Sequence, residues 1–151
     1  MSVIQKKGDI FTTKQPAIGH GVNTHGVMGA GLAKTVRQLH PDVYDLYRER
    51  CRAGQLKPGD VLPIYSVTEP NRWIFNIASQ DAPGPTAEYK WVELGIGNAL
   101  IFASKLGLSG IALPRIGSKI GGLEWELVEP IITAAAEKYP RLEVEVWEFD
   151  K

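Results

Sequence analysis

Several features that would narrow the function of a 151-residue chain are missing from this sequence. Its one cysteine, Cys51, excludes an internal disulfide, so we expect a reducing, cytoplasmic environment. No apolar run approaches the length that crosses a bilayer, and the first residues carry no secretory signal, so no membrane association is expected. Because Cys51 has no cluster of cysteine or histidine around it, the sequence predicts neither a metal nor another cofactor.

The chain also has no excess of charge of either sign. It contains 17 Lys and Arg residues and 17 Asp and Glu residues, so its formal net charge is zero. General binders of nucleic acid or of membrane surfaces are normally basic, and this balance disfavours both classes. A small local patch that contacts nucleic acid is still compatible with it.

Short β-rich runs alternate with longer segments of helical periodicity. The β-rich runs are 17–23, 59–65, 72–79, 109–116 and 142–149, and the helical segments are 31–54, 87–107 and 123–140. Pro41 is expected to split the first helical segment. The pattern predicts a single layered α/β domain over residues 1–151. Because six residues join 59–65 to 72–79, that pair should be antiparallel and the sheet mixed.

Two glycine-bearing loops each lie between a predicted strand and a predicted helix. They are NTHGVMGAG at 23–31 and RIGSKIGG at 115–122. Small residues let backbone N–H groups approach a ligand closely, and the N-terminus of a following helix favours negative charge. The two loops therefore predict a site that grips a phosphate or diphosphate from both sides, and tight turns without a ligand are the alternative.

Two familiar nucleotide motifs are incomplete here. The first loop lacks the third glycine of the dinucleotide fingerprint, and no acidic residue closes a second strand at the expected distance. The phosphate-binding motif G-x-x-x-x-G-K-[ST] is absent as well. A nicotinamide-dependent oxidoreductase is therefore disfavoured.

Three stretches together resemble a macro domain, a family that binds ADP-ribose. They are KKGDIF at 6–11, GVNTHGVMGAGLA at 21–33 and LPRIGSKIGGLEW at 113–125. The elements MGAGLA and PRIG…GGLEW are similar to the branch that includes terminal ADP-ribose protein glycohydrolase and the DarG antitoxins. The resemblance implies a three-layer α/β/α fold with a mixed central sheet of about six strands and an ADP-ribose cleft at one edge of the sheet.

The resemblance also implies which residues contact ADP-ribose. Asp9 matches the acidic residue directed at the adenine amino group, with Ile10 beside it supplying a backbone contact. Trp147 or Phe149 would cover the adenine ring, and Asn23 would face the distal ribose. The phosphate loops would be formed by Gly29, Ala30, Gly31 and Leu32 and by Gly117, Ser118, Lys119, Ile120 and Gly121.

Catalytic residues are predicted at the distal ribose: Asn23, which the resemblance directs at it, and His25 and Gln80, which are expected nearby. An imidazole such as that of His25 works as an acid or a base near neutral pH. The related glycohydrolases use a lysine nucleophile after the strand that matches 72–79, but Ser79 and Gln80 stand there, and an amide is no nucleophile. Their second-loop aspartate is replaced by Gly121, so the familiar catalytic set is incomplete.

Two outcomes are compatible with that incomplete set. The domain hydrolyses through a bound water that the substrate's diphosphate and polar loop residues orient, or it only binds ADP-ribose. A reader usually accompanies another activity, so we expect a monomeric hydrolase that removes ADP-ribose from protein carboxylates or from nucleic acid. An ADP-ribose 1″-phosphate phosphatase is a third alternative. We expect no site role for His20, on a buried strand, or for His40.

Overall fold

The computed structural model describes residues 3–149, which contain one six-stranded sheet in the order β1-β6-β5-β2-β4-β3. Every neighbouring pair is parallel except β3 and β4, which run antiparallel. The predicted mixed sheet is therefore confirmed. The strands are β1 (Val3–Lys7), β2 (Ala17–Val22), β3 (Val61–Ser66), β4 (Arg72–Ala78), β5 (Gly110–Pro114) and β6 (Glu143–Glu148).

The helices follow the predicted segments closely. They are α1 (Gly31–Leu39), α2 (Pro41–Arg52), α3 (Tyr89–Lys105) and α4 (Trp125–Glu137), with single 3-10 turns at Ile10–Thr12 and Lys119–Gly121. Pro41 separates α1 from α2 as expected and occupies the first turn of α2, where its missing N–H costs nothing. Within residues 3–149 we find no helix long and apolar enough to span a bilayer.

Alternate residues of the central strands supply two apolar cores, one on each face of the sheet. Phe75 and Ile77 of β4 pack on the face covered by α3 and α4, whereas Ile74 and Ala78 pack on the face covered by α1 and α2. This is the period-two pattern of a strand buried on both sides. The three-layer α/β/α arrangement expected from the sequence is confirmed.

The hydrophobic runs predict only five strands and do not include strand β1. Its sequence, VIQKK, has two half-buried residues followed by three exposed ones. A short strand at the edge of a sheet has one neighbour and little apolar surface to bury, and charged residues there hinder pairing with other chains. Its pairing with β6 is a tertiary contact that local sequence patterns do not predict.

Candidate functional site

A cavity of about 760 Å³ opens where the carboxyl ends of β2, β4, β5 and β6 meet. Parallel sheets bind ligands at this edge. Every residue that the resemblance assigned to ADP-ribose lines this one cavity. Their individual contacts with a ligand remain predictions.

The sheet order fixes which residues lie at each side of the cavity. We call the side formed by Gly8, Asp9, Trp147 and Phe149 the β6 end, and the side formed by Asn23, Ser79 and Gln80 the β4 end. The two glycine loops follow β2 and β5, which lie between β6 and β4 in the sheet, so they occupy the middle of the cavity.

The two loops approach each other across the cavity. The Cδ1 atom of Ile120 would lie 2.9 Å from a Cβ atom added to Gly31, closer than side chains pack. Gly31 also has φ +58°, a left-handed conformation that favours glycine. The backbone conformation therefore favours glycine at this position, and an added side chain would displace the flexible Ile120 side chain.

Helix α1 begins at this point without a side-chain cap. Its N-cap residue, Ala30, has no side-chain oxygen to accept from the first-turn N–H groups. Unsatisfied N–H groups and the helix dipole together favour an anion. The middle of the cavity is thus suited to a phosphate or diphosphate group.

The second loop contains a non-glycine residue in the left-handed region, Lys119, with φ +57°. Its Nζ atom lies 5.9 Å from the centre of the Phe149 ring, which directs the ammonium group toward the β6 end. Ser118 anchors the loop by donating a hydrogen bond from Oγ to the Arg115 carbonyl at 2.5 Å. Lys119 is therefore not placed to substitute for a lysine at the β4 end.

At the β6 end, Asp9 caps a 3-10 turn with one carboxylate oxygen and leaves the other oxygen available to a ligand. Its Oδ1 atom accepts from the Phe11 N–H at 2.9 Å and so caps the first 3-10 turn. Its carboxylate is exposed on the cavity wall, and Oδ2 accepts no hydrogen bond from residues 3–149. Capping and recognition of an amino group are thus compatible in one side chain.

The two aromatic residues at this end differ in what they offer a ligand. Trp147 is half-buried, and its indole N–H donates to Glu145 at 2.9 Å. Phe149 is 62% exposed and lines the cavity, so it has a free face on which a base can stack. The indole of Trp147 forms the wall beneath.

At the β4 end, Asn23 uses most of its hydrogen-bonding capacity within its own loop. Its Oδ1 accepts from the His25 N–H at 2.9 Å and from the Tyr47 hydroxyl at 3.0 Å, while Nδ2 donates to the Val27 carbonyl at 2.8 Å. One hydrogen of the Nδ2 amide remains for a ligand. Burial raises the pKa of Tyr47 well above its ordinary value, so its hydroxyl stays protonated and holds Asn23 in place.

The predicted catalytic residue His25 is not among the residues that line the cavity. It is exposed beside the rim, with Nε2 3.7 Å from the Asp81 Oδ1 atom. Asp81 also accepts from the Thr24 hydroxyl at 2.6 Å, which links the two segments that follow β2 and β4. The structure thus brings Asn23 and Gln80 to the cavity and leaves His25 at its edge; a catalytic role for His25 stays a prediction.

Gln80 is held by two hydrogen bonds. Its amide donates to the Ala82 carbonyl at 2.8 Å and to the Gly84 carbonyl at 2.9 Å, so both amide hydrogens are engaged. Its Oε1 atom would lie 3.5 Å from a Cβ atom added to Gly121. Gln80 therefore presents a fixed acceptor beside the second loop. Neither Gln80 nor Gly121 carries a charge.

Two buried side chains at the cavity floor have atoms without a partner in residues 3–149, namely His20 Nδ1 and Ser79 Oγ. His20 Nε2 donates to the Asn76 Oδ1 atom at 2.7 Å, which leaves Nδ1 as an acceptor. Burial lowers the pKa of His20 to about 4, and the hydrogen bond to Asn76 only partly offsets this. The expectation that His20 lies on a buried strand is confirmed, but the strand's carboxyl end also brings it to the cavity.

No group of three or more potential metal ligands occurs among residues 3–149. The cavity therefore combines backbone donors at its middle, a carboxylate and an aromatic face at the β6 end, and uncharged polar groups at the β4 end.

Comparison with known proteins identifies relatives of this chain. The chain is 32% identical over 145 residues to a DNA ADP-ribosyl glycohydrolase of Thermus aquaticus, an alignment that covers 94% of this chain and 40% of the relative. The chain thus spans less than half the length of this relative.

Solved structures are similar over almost the whole chain. The macrodomain of Thermus aquaticus DarG has a TM-score of 0.84 and 29% identity, with 99% of each chain covered. Thermosipho africanus DarTG in complex with ADP-ribose has a TM-score of 0.83 and 28% identity, covering 93% of this chain and 40% of that one. The sequence model of the Macro domain family matches residues 20–132, most of the chain, and the chain therefore belongs to the macro domain family.

Proposed function

We propose that the cavity binds ADP-ribose and that the protein hydrolyses the bond between ADP-ribose and a modified macromolecule. The observation that carries the proposal is the contact between the two glycine loops, which brings the uncapped start of α1 against Ile120 in the middle of the cavity. A diphosphate fits between the loops because backbone N–H groups on one side face it. The relatives named as glycohydrolases support the activity.

The two ends of the cavity orient the ligand. The adenine lies at the β6 end, where the Asp9 carboxylate accepts from the amino group and Phe149 stacks on the ring. The distal ribose lies at the β4 end, beside Asn23 and Gln80. Thermosipho africanus DarTG, which is similar to this chain and was solved in complex with ADP-ribose, supports the choice of ligand.

The uncharged β4 end restricts the chemistry. No nucleophilic lysine stands at Gln80 and no carboxylate at Gly121, so water attacks C1″ of the distal ribose directly. The C1″–O bond to the carrier breaks, a C1″–O bond to water forms, and the water's proton passes to solvent. Gln80 Oε1 is a fixed acceptor that orients this water without taking its proton, and Asn23 holds the ribose.

Such a site suits a leaving group that departs without protonation. A side-chain carboxylate has a pKa of about 4 and leaves as the anion, whereas an amide or ring nitrogen needs a proton from an acid. A protein carboxylate ester of ADP-ribose is therefore the preferred substrate class. ADP-ribosylated nucleic acid, which the names of the relatives suggest, is the second target.

A domain that binds ADP-ribose without cleaving it, a reader, is the competing function. The absence of a lysine at Gln80 and of a carboxylate at Gly121 favours it. One set of incubations separates these possibilities. Protein carrying carboxylate-linked mono-ADP-ribose, ADP-ribosylated single-stranded DNA and ADP-ribose 1″-phosphate are each followed for release of ADP-ribose. Turnover of the protein ester supports the hydrolase, turnover of the DNA or the phosphate would reassign the substrate, and saturable binding without release would establish the reader.

We further propose that the protein acts as a cytoplasmic monomer. The single cysteine and the cavity built within one chain support this. Light scattering at several concentrations and fractionation of cells test the two statements; a dimer mass or a secreted product would contradict them.

A further inference from the structure

Glu145 is a buried carboxylate beneath the β6 end of the cavity. It is 6% exposed and lies on β6, on the face that packs against α1 and α2. A carboxylate buried in this way is costly unless donors surround it. Three side chains donate to it.

The three donors come from two separate segments of the chain. From the segment after the first 3-10 turn, the Thr13 hydroxyl donates to Oε1 at 2.6 Å and the Gln15 amide donates to Oε2 at 3.1 Å. From β6 itself, the Trp147 indole N–H donates to Oε1 at 2.9 Å. Burial raises the pKa of Glu145, but the donors Thr13, Trp147 and Gln15 outweigh it and leave the pKa below its ordinary value, so the group stays ionised.

Both segments continue directly into the walls of the β6 end. The segment at Thr13 follows the 3-10 turn that Asp9 caps. The Cζ3 atom of Trp147 lies 3.9 Å from the position of a Cβ atom on Gly8, the residue before Asp9, so the indole supports that turn from below. The Gly8 N–H donates to the Glu148 carbonyl at 2.9 Å and closes the same junction.

We propose that Glu145 is a positioning residue for recognition of the base. Its carboxylate holds the Trp147 indole and the Thr13–Gln15 segment in fixed positions relative to each other, and this sets the orientation of Asp9. This inference rests on the proposed binding of ADP-ribose. Glu145 itself does not line the cavity. Its effect on the ligand is transmitted through Trp147 and the Asp9 turn.

The test measures how well the protein distinguishes adenine from hypoxanthine. Calorimetry gives the affinities for ADP-ribose and for the same compound with hypoxanthine in place of adenine. Glu145→Met fills the space but removes every acceptor, and it should lower the ratio of the two affinities about tenfold. Glu145→Gln keeps an acceptor oxygen for Thr13 and Trp147 and should restore most of the ratio.

Two further variants separate positioning from stability. Trp147→Phe removes the indole N–H together with ring atoms near Gly8, but it leaves the bonds from Thr13 and Gln15 to Glu145 in place, and it should lower the ratio by a smaller factor, about threefold. Glu143→Met is the matched control, since Glu143 is an exposed residue of the same strand that accepts from Gln15 at 2.7 Å; it should leave the ratio unchanged. A variant set that lowers the melting temperature while the ratio stays constant would overturn the proposal.

A second measurement is independent of the ligand. In the free protein, the nuclear magnetic resonance signal of the Trp147 indole N–H, assigned by its loss in Trp147→Phe, should move upfield in Glu145→Met. If this signal moves but the wild type binds no ADP-ribose, the proposed function fails and the Glu145–Trp147 link stands. If the wild type binds ADP-ribose and the signal does not move, the positioning role is wrong.

Discussion

The Cδ1 atom of Ile120 would lie 2.9 Å from a Cβ atom on Gly31, so the two glycine loops meet across the middle of the cavity. Ile120 is 49% exposed, and its side chain is the flexible partner in this contact. The loops start from β2 and β5, which are neighbours in the sheet although some 90 residues separate them along the chain. Their contact brings loops from the two halves of the sequence together at one cavity.

Replacing Gly31 with valine should abolish binding of ADP-ribose. The new side chain is strained at φ +58° and displaces Ile120 from its place over the cavity. We expect affinity to fall about 100-fold or more, measured by calorimetry, because the N–H groups at the start of α1 become inaccessible. Gly97→Ala in α3, where an added Cβ meets nothing within 4 Å, is the control and should bind as the wild type does. Unchanged affinity in Gly31→Val would contradict the loop assignment.

Asp9 can be tested without removing its cap. Asp9→Asn keeps an oxygen for the Phe11 N–H but presents an amide donor to the base, so affinity for ADP-ribose should fall about tenfold. The hypoxanthine analogue should lose less, because its base accepts at that position. If the wild type binds both compounds equally, Asp9 does not read the amino group.

Gln80→Ala should reduce hydrolysis of the carboxylate ester modestly, about tenfold in kcat, with KM nearly unchanged. An orienting acceptor contributes this much, whereas removal of a nucleophile abolishes turnover. Rapid-quench kinetics on the ADP-ribosylated protein measures both parameters. A completely inactive Gln80→Ala would show that this residue does more than orient water.

Tyr47→Phe should weaken both the fold and the site. The variant removes the donor to the Asn23 carbonyl at 2.7 Å and to its Oδ1 at 3.0 Å and leaves those acceptors buried. We expect a loss of about 1–2 kcal/mol in the free energy of unfolding, measured in urea, together with weaker binding of ADP-ribose. Tyr65→Phe, whose ring is half exposed on β3, is the control for loss of a hydroxyl and should change neither quantity.

The buried His20 predicts a loss of stability in acid. Its pKa is lowered from 6.5 to about 4 in the folded protein, so below pH 6.5 the unfolded chain binds a proton that the folded chain does not. Stability therefore falls as the pH drops from about 6.5 to about 4, by up to about 3 kcal/mol from this residue. Urea titrations of the wild type and of His20→Asn measure the difference, and equal slopes against pH would show that His20 is not the cause. His40, whose pKa burial also lowers, contributes in the same direction.

Local sequence patterns were sufficient for most of the secondary structure and for the two loops. The spacing of apolar residues within each segment predicts the strand 72–79 and the helix 87–107. Each is found within two residues of its expected bounds. Glycines between a strand and a helix likewise mark a phosphate-type loop without any knowledge of the partner loop. The resemblance added Asp9, which no periodicity singles out.

Other features depend on contacts between residues far apart in the sequence. His20 looked like an ordinary strand residue, and only the end of the sheet brings it to the cavity floor. His25 is in the same loop as Asn23, yet its turn leaves it at the rim. Glu145 lies between the core residues Val144 and Val146 of β6, and it is buried on the opposite face of the sheet by contacts with Thr13 and Gln15, which are distant in the sequence.

Local patterns specify the helices, the strands and the chemical types available at the loops, because periodicity and glycine conformations are properties of neighbouring residues. The edge strand β1, the approach of Ile120 to Gly31 and the burial of Glu145 arise only in the assembled fold. Each of these is a pairing across many residues, and its free energy arises only when the sheet assembles and excludes water from both partners.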